Sequence, residues 1–228
     1  MDTIDLLFNE NLIKKKLYPC DSLSRVSLQD DFFTKAAVVF LIIPYENKPY
    51  ELVLIHRSDE GTRHRGEISF PGGKFEIDVD KSLKDTALRE TEEEIGVPRG
   101  KIRIIGCLND FPTTTKYIVT PFLGIIDENQ KLQRDEREVQ KILKVPINFF
   151  VDKSNFKEQT FDIKGIKFPV FYFNFLNEEN WRTYTIWGAT AFLITYFLEL
   201  VYNIQIGSNK ARRPTIEDIK MRYEDFEE

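Results

Sequence analysis

Between Gly72 and Val97 a glycine pair leads into a short segment crowded with acids, and this stretch restricts the possible folds more than any other. Ser82 with Asp85 three positions later has the form of a capping box, and Gly96 stands where a helix stops, so the spacing predicts a helix over Leu83–Ile95. At about 100° per residue, Leu83, Ala87, Leu88, Thr91 and Ile95 share one face. Glu90 and Glu94 then stack a turn apart on its margin, and Glu93 lies just outside. The helix must lean its apolar side on a core while the acids crowd one edge.

Carboxylates at i, i+3 and i+4 repel one another, most strongly where they border a buried face. A cation is needed to offset them. Arg89 supplies one positive charge; a hard divalent ion, which takes carboxylate oxygens and shares its other positions with water and phosphate, would supply more. The competing explanation is an ordinary solvated acidic helix. Phe70-Pro71-Gly72-Gly73 immediately upstream tilts the reading towards a phosphate-and-metal site.

With these residues the chain resembles the Nudix hydrolase signature, G-x5-E-x7-R-E-U-x-E-E-x-G-U with U aliphatic. Arg89 to Val97 match its second half, with Thr91 at the first aliphatic position. In the first half Asp80 is the counterpart of the signature's leading Glu, with Asp78 as a rival, and the loop and helix start are each one residue longer than the pattern. The resemblance implies cleavage by water of a pyrophosphate that links a nucleoside to another group, with Mg²⁺ or Mn²⁺ as cofactor. Carried over by position, Glu90 and Glu94 are the principal metal ligands, Glu93 is an auxiliary one, Arg89 orients Glu90, and the Gly73 carbonyl is a further ligand.

The flanks resemble the coenzyme A pyrophosphatase branch of that family. Arg57, Ser58, Gly66 and Phe70 to Gly73 match its additional signature in register; Ile55 stands for Thr, and Thr62 for Arg with Arg63 one step away. Val119 to Ile126, Glu138-Val139 before Val145-Pro146, and Ile186 to Ala191 are also similar, so the likeness runs over roughly residues 36–200. It implies hydrolysis of coenzyme A or a derivative to 3′,5′-ADP and 4′-phosphopantetheine or its acyl form. Two other readings stay open: hydrolysis of another nucleoside diphosphate derivative such as ADP-ribose or a dinucleotide cofactor, and a noncatalytic nucleotide-sensing module. The intact Arg89-Glu90 and Glu93-Glu94 set disfavours the last.

A phosphate-rich substrate needs cations. Arg57, Arg63, His64 and Arg65 precede the glycine loop and are the candidate substrate-binding residues, with Lys116 in reserve, because guanidinium forks donate paired hydrogen bonds to phosphate. Some of them could instead balance Asp59, Glu60 and Glu67 at the surface. Glu138 and Glu136 are candidate general bases, set against the simpler reading of a solvated charge run.

At 228 residues, 42% hydrophobic and 30% charged, the chain is long enough for one enzyme domain, and no repeat or low-complexity linker divides it. The expected organisation is an N-terminal helical extension over 1–35, the catalytic domain over 36–206 and a tail over 207–228. A net charge of −5 argues against nucleic-acid binding. Cys20 and Cys107, far apart and outside any metal spacing, are expected to be reduced thiols, and His56 is expected to pack rather than bind. The first residues lack a signal peptide's pattern, and the run Thr183–Leu198 is too short and too rich in threonine to span a bilayer. A cytoplasmic protein acting on a small nucleotide substrate follows, with no membrane partner and with a homodimer left open. Expected elements are a helix near Ile4–Lys16, strands at Ala36–Ile43, Tyr50–His56, Ile102–Leu108, Val119–Ile126, Thr160–Ile163 and Lys167–Phe175, and a closing helix at Ile186–Tyr202. That order suits an α/β (α+β) class, an α/β/α sandwich around a mixed β-sheet.

Overall fold

The computed structural model describes residues 6–59, 66–208 and 214–223. In chain order its elements are α1 (Glu10–Lys16), β1 (Thr34–Ile43), β2 (Glu51–Arg57), β3 (Ile68–Ser69), β4 (Gly72–Lys74), α2 (Leu83–Ile95), β5 (Arg103–Cys107), β6 (Phe111–Pro112), β7 (Tyr117–Ile125) and β8 (Val139–Pro146). They continue with β9 (Phe156–Ile163), β10 (Ile166–Asn177), β11 (Arg182–Trp187), α3 (Gly188–Tyr202) and α4 (Ile216–Tyr223).

The central sheet is mixed, as expected. β1 runs parallel to β7 and antiparallel to β2 and β4, while β8 and β3 extend it beyond β2 and β5 beyond β7. Ala37 to Ile43, Val38 apart, are buried because both faces of β1 are covered, the condition that produces a near-continuous apolar run in a strand. Successive side chains go to opposite layers. Phe40 and Ile42 join Leu193, Ile194 and Phe197 of α3, whereas Val39, Leu41 and Ile43 join Ala87 and Ile95 of α2. An α/β/α layering results, with the acidic helix forming one outer layer.

Several elements differ from the sequence expectation. The first helix starts at Glu10, with Leu6 to Asn9 ahead of it, because Asn9 caps it by accepting from the Leu12 N–H; the expected start at Ile4 lies outside the described residues. Ile186 and Trp187, expected in the closing helix, belong instead to β11, the edge of a separate three-stranded antiparallel sheet with β10 and β9. Its period is two: Tyr184 and Ile186 are buried while Thr183, Thr185 and Trp187 are exposed. The helix begins only at Gly188, whose φ of 61° turns the chain out of the strand. β8 and α4 were not expected; α4 inserts Ile219 beside Phe33 and Ile118. No helix among the described residues is long and apolar enough to cross a membrane.

The expectation of two free thiols is corrected. Cys20 and Cys107 form a disulfide across 87 residues of sequence. Tyr18 forms an antiparallel bridge with Cys107, which brings the N-terminal segment alongside β5 and leaves the two cysteine Cα atoms 5.0 Å apart, inside the range a disulfide needs. A closed loop of that length restricts the unfolded chain, so Cys20→Ser should lower unfolding free energy by about 2–4 kcal/mol. Urea titration measures this: reductant should reproduce the loss in the wild type and add nothing in the variant, and a wild type indifferent to reductant would refute the bridge.

Candidate active site

The glycine pair is demanded by close approach on both sides. Gly72 has φ 149°, and a Cβ there would lie 2.3 Å from the Ala37 carbonyl oxygen of β1. Gly73 faces the other way: a Cβ would lie 2.3 Å from Cδ of Glu90. The turn is thus wedged between β1 and the acidic helix. α2 has the bounds that its caps predict, with Ser82 accepting from the Asp85 N–H at 3.2 Å, Asp85 accepting in return from the Lys81 N–H, and Gly96 left-handed at φ 68°.

Arg89 is the centre of the charge arrangement. Its Nε and Nη2 donate to the two oxygens of Asp80 at 2.7 and 3.0 Å, and its Nη1 reaches Glu90 at 2.8 Å and Glu93 at 2.9 Å. Asp80 is buried, accepts also from Thr86 Oγ1 and the Glu76 N–H, and is held down at about 2 chiefly by the arginine. Asp78 is exposed. Asp80 is therefore Arg89's counterion, and Asp78 is not.

The three glutamates occupy three environments. Glu94 is fully buried, not marginal as the helical wheel predicts: Arg57 Nη1 donates to its Oε1 at 2.7 Å and the Gly72 N–H to its Oε2 at 2.9 Å. Burial pushes its pKa up to about 8, against the opposing pull of Arg57 and Gly72. Glu90 is mostly buried beside Gly73; desolvation raises it, Arg89 lowers it, and the charges of Glu93 and Glu138 raise it further. Glu93 is half-exposed.

The other expected site residues are placed differently from one another. Arg57 is not a free substrate cation, since its guanidinium is committed to Glu94; the reason is β2's alternation, which points residue 57 at α2. Lys116 stands 4.4 and 4.1 Å over the rings of Phe32 and Tyr223. Glu136 is exposed and paired with Arg134 at 2.9 Å, whereas Glu138 is exposed and close enough to Glu90 to act on its ionisation. Arg63, His64 and Arg65 lie outside the described residues. The Gly72 N–H, which holds Glu94, was not foreseen; no side-chain pattern marks a backbone donor.

Among the described residues no three His, Cys, Asp or Glu side chains converge into a ready-made cage. The donor set nonetheless fits a hard divalent ion, because such ions often take one or two carboxylates and complete their shell with water and phosphate. Glu90 couples electrostatically to Glu93, Glu94 and Glu138, and the uncompensated negative charge gathered there is what a cation would relieve.

Comparison with known proteins decides the family. The NUDIX domain model matches residues 34–160. The chain is 31% identical over 162 residues to an uncharacterized Nudix hydrolase, NudL, of Yersinia pestis (strain Pestoides F), covering 71% of this chain and 78% of that protein. The corresponding NudL of Yersinia pseudotuberculosis serotype O:1b gives the same figures. The chain belongs to the Nudix family. A solved MutT/nudix family protein from Enterococcus faecalis aligns at 16% identity and TM-score 0.48, covering 85% of this chain and 73% of that one. As a Nudix hydrolase the protein is a pyrophosphohydrolase of nucleoside diphosphate derivatives, and enzymes of this family use divalent ions such as Mg²⁺ or Mn²⁺.

Two expectations follow from the geometry. Gly73→Ala should displace the Glu90 carboxylate and reduce turnover by about tenfold or more, the scale set by small misplacements of a catalytic group, with little change in circular dichroism; undiminished turnover would show that the Gly73–Glu90 contact is dispensable. Glu94 has a folded pKa raised from 4.5 to about 8, so its contribution to the metal-free fold is fully present below 4.5 and is lost as pH rises through about 8. Urea midpoints of chelator-treated protein across that window should fall for the wild type and change less for Glu94→Gln.

Proposed function

We propose that this Nudix hydrolase is a coenzyme A diphosphatase, cleaving the pyrophosphate of coenzyme A or a derivative to 3′,5′-ADP and 4′-phosphopantetheine or its acyl form. The support for the substrate is the register of Arg57, Ser58, Gly66 and Phe70–Gly73 with the coenzyme A branch. The chemistry is supported by the Glu90 carboxylate, presented beside Gly73 by an arginine that is itself clamped to a buried aspartate.

Glu90, Glu93 and Glu94 with the Gly73 carbonyl are the groups to hold Mg²⁺ or Mn²⁺. Bound there, the ion would neutralise charge on the phosphate oxygens and lower the pKa of a water. Arg89 limits the rotation of Glu90, so that the carboxylate is oriented before substrate arrives. Arg57 and the Gly72 N–H hold Glu94 in the same way, making Arg57 a positioning residue. Glu138 is the favoured proton acceptor for the attacking water because its charge is near enough to act on Glu90, whereas Glu136 is occupied by Arg134. With Arg57 engaged by Glu94, contact with the 3′-phosphate is assigned to Arg63 and Arg65, aided by His64, with Lys116 in reserve.

Turnover of coenzyme A, ADP-ribose and NADH with Mg²⁺ or Mn²⁺ tests this reading. Coenzyme A should be preferred, and Glu90→Gln should cut the rate by about a hundredfold or more, the scale of a lost electrostatic group. Preference for ADP-ribose or NADH would overturn the substrate, and nucleotide binding without metal-dependent turnover would overturn catalysis in favour of a sensing module. Replacement of Arg63 or Arg65 by Ala should weaken coenzyme A more than 3′-dephospho-coenzyme A; equal losses would remove the 3′-phosphate contact.

A further inference from the structure

On the far side of β2 from the carboxylates lies a cleft of about 390 Å³, bordered by His56, Ile68, Tyr172, Arg182, Tyr184 and Trp187. His56 and Arg57 are neighbours on one strand end, and alternation sends the arginine to Glu94 and the histidine to Tyr184, its ring edge-on at 5.3 Å. The metal carboxylates and the cleft therefore flank the same strand end. Ile68, on the cleft's border, is five residues from Gly73, a reach of about 17 Å at most for an extended chain.

The lining is unusual for a surface of no function. Trp187 keeps 41% of its surface in solvent, although its ring is parallel to that of Tyr172, with centroids 6.0 Å apart and 5° between planes. Arg182 lies 5.5 Å over the Tyr184 ring, and its guanidinium borders the cleft. His56 is 5% exposed, and its Nδ1 is buried with no hydrogen-bond partner. A buried polar atom without a partner costs stability, and the ring as a whole lines the cleft beside the Gly66 backbone, with which it is hydrogen-bonded. A flat stacking surface, an available cation and a polar ring edge form a set that suits a purine nucleotide.

We propose that this cleft seats the adenine nucleotide half of the substrate, with the base stacked on Trp187, its edge turned to His56, and a phosphate facing Arg182. The assignment rests on the nucleoside diphosphate reading above and adds to it the wall that recognises the base. The diphosphate then crosses the end of β2 towards Gly73 and the α2 carboxylates.

The chain contains two tryptophans, Trp181 and Trp187, so Trp181→Phe leaves Trp187 as the sole indole reporter. Its fluorescence is titrated without metal against AMP and against ribose 5-phosphate, which lacks the base. The expected result is saturable quenching by AMP and none by ribose 5-phosphate. Adding Arg182→Ala should weaken AMP by about tenfold or more, the loss expected when a hydrogen bond to a charged group goes. Calorimetry on Trp187→Ala should show the same weakening. Absence of saturable quenching, equal quenching by ribose 5-phosphate, or AMP affinity unchanged by both substitutions overturns the proposal. No turnover enters these measurements, so AMP binding in a protein that fails to hydrolyse coenzyme A would leave the cleft in place while the substrate reading fell.

Discussion

The Arg89–Asp80 fork is the interaction on which the rest of the site depends. It holds a guanidinium inside the fold with two oxygens of one carboxylate, and the remaining nitrogen is left to reach Glu90 and Glu93. Breaking a buried pair of this kind by removing one partner costs about 3–5 kcal/mol, because the other charge is left uncompensated. Asp80 lies in the loop between β4 and α2, so the same fork sets where the helix sits against the glycine turn. Gly73 and Glu90 are then in contact because one arginine has fixed the helix and the absent side chain has made room.

Charge in this region is graded by depth. Asp80, with a cation on both oxygens, is held low; Glu94, deeper and with one cation and one amide, is pushed high. Glu90 lies between, raised by desolvation and by its acidic neighbours. Such a gradient leaves negative charge poorly compensated where a divalent ion would enter and well compensated where only the scaffold is needed. The electrostatic cost of assembling the acids is thus borne by the metal-free protein, which is why the pH dependence of its stability reports on Glu94.

The acidic helix could be read in the sequence because its signals are local: a serine cap, a left-handed glycine and a 3.6-residue apolar period. The mixed sheet followed from β-rich runs on either side of that helix. The burial of Glu94 could not be read, since it depends on Arg57 arriving from β2 and an amide arriving from the glycine turn. Ile186 and Trp187, the end of β11, read as the start of the closing helix because the sequence stays uncharged from Thr183 into it, and the exposure alternation that separates strand from helix appears only in three dimensions. The disulfide escaped for a related reason: 87 residues separate its cysteines, and a single bridge between Tyr18 and Cys107 makes them neighbours.

The recognisable family match begins at residue 34, but the folded unit does not. Ile13 and Leu17 of the preceding segment are buried in the α3-side core, Arg25 pairs with the buried Asp110 ahead of β7, and Cys20 is bonded to β5. A fragment trimmed to the family boundary would keep every acid of the motif and lose one wall of the core, a buried counterion and a covalent tether together. For this chain, the family match marks where the chemistry is shared, while the packing that completes the core reaches further upstream.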